Sequence, residues 1–163
     1  MTRESDFFAR VAARKMVRPR VAGIIIVDDQ LLVQQPRDNL AACYAFIGGE
    51  YEVGDTFVSR LQTEVEEETT ARLLRAEYLF VVENQFRSAG VSVHGLEHYL
   101  LGEIDRTDVQ SREPHLLFRW LPLDSLAQVD LRPHLVRDAI ASGSYLRIRH
   151  LLVPGETPDR DGK

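Results

Sequence analysis

The sequence has little cysteine, tryptophan or methionine, and it has no long hydrophobic run. It contains one cysteine, Cys43, one tryptophan and two methionines in 163 residues. A single cysteine excludes an intramolecular disulfide framework and is typical of a reducing cytoplasm. No apolar segment approaches the roughly 20 residues of a membrane span, and the N-terminus lacks a signal-peptide core. We therefore expect a cytoplasmic protein that does not associate with membranes.

The chain also lacks an excess of positive charge. Its formal net charge is −5, and the segment 50–68 holds seven acidic residues and one basic residue, so the rest of the chain sums to +1. The acidity is therefore local, and no basic arm for nucleic acid is present in the sequence. The length and the 44% hydrophobic content are typical of one compact domain.

Three carboxylates of the acidic segment share one face of a predicted helix. Glu64, Glu67 and Glu68 are spaced i, i+3 and i+4, whereas Glu66 points elsewhere. Neighbouring unpaired anions repel one another, and a hard divalent cation such as Mg²⁺ would relieve that repulsion through oxygen ligands and substrate phosphates. The alternative is a solvated acidic face that binds nothing.

The residues around these carboxylates favour the cation. Glycines that allow a close backbone approach or a positive φ lie just upstream, at positions 48, 49 and 54. Asp55 or Thr56 can cap the first turn of the helix. Apolar residues then recur every fourth position from Phe57 to Val65, which predicts a packed stripe beside the acidic one.

The segment resembles the Nudix box, the signature of the Nudix hydrolase superfamily, written G-x5-E-x7-R-E-U-x-E-E-x-G-U with U a bulky aliphatic residue. The matching positions are the first glycine, the glutamate after the arginine, the aliphatic residue and the acidic pair: Gly49, Glu64, Val65, Glu67 and Glu68. The resemblance implies that the three glutamates, with the backbone carbonyl of Gly48, hold Mg²⁺, and Mn²⁺ is the alternative ion.

Four positions depart from the box, at the first glutamate, the arginine, the second glycine and the last aliphatic residue: Asp55, Thr63, Thr70 and Ala71. The neutral Thr63 cannot pair with the carboxylates, and Arg60, one turn before Glu64, is the residue that can replace the arginine in part. Thr70 predicts that the helix ends without a left-handed glycine cap.

The hydrophobic pattern predicts two further helices and six strands around the box helix. The helices are 5–16 and 133–140, and the strands are 21–27, 31–33, 44–47, 78–82, 91–101 and 118–121. This order predicts an α+β protein, a Nudix-type α/β/α sandwich with a mixed sheet between helices, which is also the fold that the resemblance implies. We expect a helical extension at 1–17, a Nudix domain at 18–153 and a disordered tail at 154–163.

Several residues outside the helix are candidates for the site. Glu113 lies in a loop where many Nudix enzymes place a further glutamate, as a metal ligand or general base, and Glu97 on a strand is its rival. Gly48 and Gly49 let a substrate approach the backbone. Tyr44 can stack on a base, and the alternative is that it packs in the core. Arg37 can hold a phosphate, and the alternative is that it is an ordinary surface charge.

The resemblance implies an Mg²⁺-dependent pyrophosphohydrolase that cleaves a diphosphate linkage in a nucleoside diphosphate derivative or nucleotide. Its catalytic residues would be Glu64, Glu67 and Glu113, and the general base stays open among Glu64, Glu97 and Glu113. The partner would be a small molecule and not a nucleic acid, and a homodimer through the N-terminal helix is an alternative to a monomer.

Two other functions remain as alternatives. A Nudix domain that binds a nucleotide as a sensor without cleaving it is favoured by the departures at Asp55, Thr63 and Thr70 and opposed by the intact glutamates. Isomerisation of an isoprenoid diphosphate uses the same fold but needs a reactive cysteine. Because Cys43 precedes the box in a segment that the pattern predicts to be buried, isomerisation ranks last.

Overall fold

A seven-stranded mixed sheet organises the chain. The computed structural model describes residues 3–88 and 90–155. The strands are β1 (Arg18–Val27), β2 (Gln30–Pro36), β3 (Ile47–Glu50), β4 (Leu73–Ser88), β5 (Val91–Ile104), β6 (Leu116–Pro122) and β7 (His150–Val153). The helices are α1 (Arg3–Ala13), α2 (Phe57–Glu68) and α3 (His134–Ala141), with 3-10 turns at Leu123–Gln128 and Ser144–Leu146.

The strand order is β6-β2-β1-β5-β4-β7, and β3 pairs with β1. The β1–β5 and β4–β7 pairs are parallel, whereas the other pairs are antiparallel. β3 runs beside residues 20–23 of β1, while β2 is paired with β1 only at 26–27. The glycine turn is therefore held against the sheet by backbone hydrogen bonds.

The sheet is buried on both faces, which explains the nearly continuous apolar run of β1. Val21 and Ile25 pack in the core beneath α2, whereas Ala22 and Ile24 pack in the core beneath α3. Side chains of a strand alternate between the two faces, so a strand covered on both sides must be apolar throughout. The predicted α/β/α sandwich with a mixed sheet is confirmed.

The predicted strand at 44–47 is displaced. β3 begins at Ile47 and continues through the two glycines to Glu50, while Tyr44 and Ala45 form only single bridges, to Leu131 and Gln34. Glycine is unfavourable in strands by propensity. Here Gly48 is required because a Cβ would overlap the carbonyl oxygen of Val21 on β1, and Gly49 is required because a Cβ would overlap Glu64 on α2.

Several element boundaries also differ from the prediction. α1 ends at Ala13, and β4 extends in both directions beyond 78–82 because its polar residues pair with β5 along its length. β7 was not predicted, since four residues of ordinary composition give little signal until they meet β4 in parallel. Residues 156–163 of the predicted tail lie outside the described residues. In the described part of the chain, no helix has the length and apolarity needed to cross a membrane.

Candidate active site

Helix α2 is fixed at its first turn and along one side. Leu61 and Val65 are fully buried beneath it. The backbone N–H of Ser59 donates to the Thr56 hydroxyl at 3.0 Å, and the Thr56 N–H donates to the Ser59 hydroxyl at 2.8 Å. This reciprocal capping box confirms the predicted Thr56 cap. The adjacent acidic side of the helix is thereby held in one orientation.

The two glycines of β3 are required by close packing. A Cβ at Gly48 would overlap the carbonyl oxygen of Val21, and a Cβ at Gly49 would overlap the carboxylate of Glu64. The first contact lets β3 pair with β1, and the second lets the helix carboxylate lie directly against the strand. A side chain at Gly48 would separate β3 from β1, and one at Gly49 would separate the glycine turn from α2.

Arg60 neutralises the carboxylates at the beginning of the helix. Its Nε donates to Asp55 at 2.7 Å, its Nη1 donates to Glu64 at 3.2 Å, and its Nη2 donates to Glu52 at 3.1 Å. The hydrogen bond from Arg60 lowers the pKa of Asp55. Thr63 stands at the arginine position of the box and cannot pair with a carboxylate. Arg60 pairs with Glu64 instead, as the i, i+4 spacing predicts.

The carboxylates farther along the helix are less well compensated. Burial raises the pKa of Glu64, and the hydrogen bond from Arg60 opposes that rise. Burial raises the pKa of Glu68 to about 8, and the charge of Glu64 adds to the effect. One oxygen of Glu68, Oε2, is buried and has no hydrogen-bond partner among the described residues. A buried carboxylate oxygen beside like charges is unfavourable unless the carboxyl is protonated or a cation balances it.

Glu113 and Glu67 contribute to the same negative potential. Their charges also raise the pKa of Glu68, whereas the charge of Arg20 lowers it. Glu67 is exposed on the helix surface, and the side chain of Glu113 is 42% exposed and lies 3.4 Å from His115. The structure thus brings Glu64, Glu67, Glu68 and Glu113 together in one region.

A loop 40 residues farther along the chain ends the helix and positions Glu113. The N–H of Thr70 donates to the Gln110 carbonyl at 3.0 Å, and the N–H of Gln110 donates to the Thr70 hydroxyl at 3.0 Å. The N–H of Arg112 donates to the Glu68 carbonyl at 2.8 Å. The cap residue Thr69 is extended, with φ −132°, so the predicted absence of a left-handed cap is confirmed.

The remaining predicted substrate contacts, Arg37 and Tyr44, have no hydrogen bond to these carboxylates among the described residues. Arg37 is exposed, and its backbone N–H and Nη2 donate to the carbonyls of His115 and Leu116 at 2.8 and 3.1 Å. Tyr44 is half-buried against the core beneath α3, and its N–H donates to the carbonyl of Asp130 at 2.8 Å. Their roles in substrate binding stay predictions.

The sequence offers Arg20 as a candidate phosphate contact, with an ordinary surface charge as the favoured alternative, and the structure places it differently from a surface charge. Its side chain is 22% exposed, and its Nη2 donates to the carbonyl of Gly48 at 3.3 Å. Its Nη1 lies 3.7 Å from Glu97, which is buried. The signal that was available is its position directly before the buried run of β1.

The donor chemistry of the region fits a hard divalent cation. The fitting features are the unpartnered Glu68 oxygen, the raised pKa values of Glu64 and Glu68, and the glycine backbone against Glu64. Within residues 3–88 and 90–155, however, no three carboxylate, imidazole or thiol groups already converge in metal-binding geometry. Bringing them together would require side-chain rotation.

Comparison with known proteins identifies the fold and the family. The model of the NUDIX domain matches residues 17–140. Among curated proteins, none matches the chain. A MutT protein from Bacillus halodurans has a similar structure, with a TM-score of 0.67, 15% identity, and coverage of 88% of this chain and 92% of that one.

Two further solved structures share this fold. A MutT Nudix hydrolase from Burkholderia pseudomallei has a TM-score of 0.62 and 23% identity, covering 75% of this chain and 95% of its own. An ADP-ribose pyrophosphatase from Streptococcus suis has a TM-score of 0.58 and 13% identity, covering 85% and 100%. Because the family match spans most of the chain and coincides with the sheet and α2, the chain belongs to the Nudix hydrolase superfamily, a superfamily of pyrophosphohydrolases.

Proposed function

We propose that this chain is an Mg²⁺-dependent hydrolase that cleaves a diphosphate linkage in a nucleoside diphosphate derivative or nucleotide. Glu64, Glu67, Glu68 and the carbonyl of Gly48 would hold the cation, with Mn²⁺ as the alternative ion. The observation that carries the proposal is the buried, unpartnered oxygen of Glu68 among three other carboxylates. Such an arrangement is unfavourable without a positive ligand and favourable with one.

In the proposed reaction, different protein groups bind the cation, contact the substrate and accept the proton. Bound Mg²⁺ would neutralise phosphate oxygens and make the attacking water more acidic. Gly48 and Gly49 are the proposed contacts to the diphosphate through their backbone, and Tyr44 and Arg37 are the proposed contacts to the rest of the substrate. Water attacks one phosphorus, the bond to the bridging oxygen breaks, and the water proton passes to a carboxylate.

The proposed proton acceptor is Glu113, with Glu64 and Glu67 as the other catalytic carboxylates. Glu113 is the best placed because its side chain is 42% exposed, so water reaches it, and because its loop is fixed to the end of α2. Its neighbour His115, at 3.4 Å, is charged only when it is protonated, so Glu113 can accept a proton without first leaving a permanent ion pair. Glu64, in contrast, is already bonded to Arg60 at 3.2 Å.

The test is hydrolysis by the purified protein with Mg²⁺ and a panel of nucleoside di- and triphosphates, dinucleoside polyphosphates and nucleotide sugars. Glu67→Gln and Glu68→Gln should abolish phosphate release. Glu66→Gln is the matched control, since Glu66 lies on the same helix but accepts a hydrogen bond from Gln62 at 3.1 Å. Equal loss in Glu66→Gln, or full activity in Glu68→Gln, would contradict the assignment.

A nucleotide-binding sensor is the second candidate. It is favoured by the departures from the box at Asp55, Thr63 and Thr70, and it is opposed by the intact glutamates. Tight nucleotide binding without turnover on any substrate of the panel would establish the sensor. The division into 1–17, 18–153 and 154–163, a homodimer and a cytoplasmic location stay predictions.

A further inference from the structure

Two arginine–glutamate pairs connect β5 to its neighbouring strands. Arg75 on β4 is the Cα partner of Glu103, and Arg20 on β1 is the Cα partner of Glu97. The side chains of Arg75 and Glu103 are 70% and 58% exposed, whereas those of Arg20 and Glu97 are 22% and 6% exposed. Ion pairs in the interior must be well satisfied to be tolerated. The second pair therefore needs a specific explanation.

The glutamate of the buried pair is fully engaged. Its Oε2 accepts from the Tyr99 hydroxyl at 3.0 Å, and its Oε1 accepts from the Asn84 amide at 3.3 Å. Burial holds the pKa of Tyr99 well above its ordinary value, so its hydroxyl stays a donor. Because both oxygens have partners and water has little access, Glu97 is suited to be a fixed anion and not a base for water.

The arginine of the same pair is not fully engaged. Its Nη2 donates to the Gly48 carbonyl at 3.3 Å, its Nη1 is 3.7 Å from Glu97, and its Nε is buried without a hydrogen-bond partner among the described residues. Four of the five N–H donors of a guanidinium are on its two Nη atoms, so donors remain for a ligand on this 22% exposed side chain although Nε itself is buried. Its charge also lowers the pKa values of Glu64 and Glu68. Arg20 therefore lies within electrostatic reach of the acidic helix.

We propose that Arg20 binds a phosphate group of the substrate and that Glu97 is a positioning residue for it, supported by Asn84 and Tyr99. The identity of the ligand as a diphosphate rests on the proposed function. A planar guanidinium with free donors matches phosphate oxygens, and a fixed anion behind it keeps the donors directed at the ligand. Since Arg20 contacts the carbonyl of Gly48, the bound phosphate would lie next to the cation.

The binding test measures the affinity for methylenediphosphonate in the presence of Mg²⁺ by isothermal titration calorimetry. This compound is an analogue of diphosphate whose P–C–P linkage cannot be hydrolysed. Arg20→Gln should weaken binding by about tenfold to a hundredfold, the range for hydrogen bonds to charged groups. Arg20→Lys should fall between, because an ammonium keeps the charge but loses the planar donors. Arg75→Gln, the exposed counterpart, should bind as the wild type does. Wild-type affinity in Arg20→Gln, or no binding by the wild type, overturns the proposal.

A second measurement uses the unaltered protein, so it does not depend on the folding of a variant. The Nε–H resonance of Arg20 should shift in ¹⁵N-detected NMR spectra when methylenediphosphonate is added, because an anion bound at the Nη groups changes the electrostatic environment of the whole guanidinium. The resonance of Arg75 should stay in place. Binding that leaves the Arg20 resonance unchanged contradicts the assignment.

Glu97→Gln separates positioning from catalysis. A neutral amide keeps the shape of the side chain but removes the fixed charge, so KM should rise several-fold and methylenediphosphonate affinity should fall to match. The kcat and its pH profile should stay unchanged. A loss in kcat of about a hundredfold, with loss of the acidic limb of the profile, would make Glu97 the general base and overturn the positioning role.

These results are distinguishable from failure of the proposed function. If no member of the substrate panel is hydrolysed but Arg20→Gln still loses diphosphate binding, the hydrolase proposal fails and the Arg20 assignment stands. If hydrolysis is found and Arg20→Gln has wild-type KM and affinity, only the Arg20 assignment fails.

Discussion

The carboxylates near the two ends of α2 differ in their hydrogen-bond partners. At the beginning of the helix, Arg60 donates to Asp55, Glu52 and Glu64 with one side chain. At the end, one oxygen of Glu68 is buried without a partner in the described structure. The first end has a protein cation that balances its carboxylates, whereas the second leaves a buried carboxylate oxygen without a partner among the described residues. The proposed cation would balance the second end.

The largest effect should come from Glu68→Gln, which removes the uncompensated charge. We expect kcat/KM to fall by at least about a hundredfold, because a proposed ligand of the cation is lost. In the presence of EDTA, the same variant should melt at a higher temperature than the wild type, because a buried charge has been removed. Steady-state kinetics and thermal denaturation check the two effects. A variant that loses activity and stability together would mean that Glu68 has a structural partner.

The pH dependence of stability should show the same difference. Burial raises the pKa of Glu68 to about 8, above the ordinary 4.5 of a glutamate. Between these values the folded state binds more protons than the unfolded state, so the free energy of unfolding without metal should fall as the pH rises from about 5 to 8, by on the order of 2 kcal/mol. Urea denaturation in EDTA measures this slope. Mg²⁺ or Glu68→Gln should flatten it, and an unchanged slope in the variant would refute the cause.

Removal of Arg60 should make the first end resemble the second. In Arg60→Met, Glu64 loses its cation while the hydrophobic stem is largely kept, and the free energy of unfolding should decrease by about 1–2 kcal/mol. Chemical denaturation measures the loss. Arg75→Met, which removes an exposed arginine paired with Glu103 at 3.1 Å, is the control and should cost less. Equal losses would show that the Arg60 cluster contributes no more than a surface ion pair.

The smallest effect concerns the loop that ends the helix. In Thr70→Val, the acceptor for the Gln110 N–H is lost, and the free energy of unfolding should decrease by about 0.5–1 kcal/mol. Thr70→Ser keeps the hydroxyl and should lose less than half as much. If both variants lose the same amount, the hydroxyl is not what holds the loop, and the backbone bond from Thr70 to Gln110 would account for its position.

Local spacing in the sequence predicted the helix, the side on which its carboxylates lie and the partner of Glu64. The 3.6-residue period placed Glu64, Glu67 and Glu68 on one side of a helix, and the i, i+4 relation identified Arg60 as the partner of Glu64. The apolar run of β1 indicated a buried strand, and the order of elements indicated the sandwich. These signals depend on residues within a few positions of one another, so one sequence contains them.

The second end and the sheet interior were not predictable in the same way. The bonds from Thr70 and Glu68 to residues 110–112 join segments about 40 positions apart, and neither segment shows in its composition that it has a partner. The environment of Arg20 depends on the register of β1 against β5, which are far apart in the sequence because β2, β3, α2 and β4 lie between them. Register between distant strands is fixed by tertiary packing and not by local pattern.

The loop that ends α2 bears on how this protein can be engineered. If the helix ended at a glycine cap, the 23-residue box would contain all the residues that terminate its own helix. Here the closure is divided between Thr69–Thr70 and residues 110–112, so neither piece is complete alone. A chimaera that takes the box from this chain must take the distant loop with it, or restore glycine at position 70. The two segments therefore form one structural unit, although they are about 40 positions apart in the sequence.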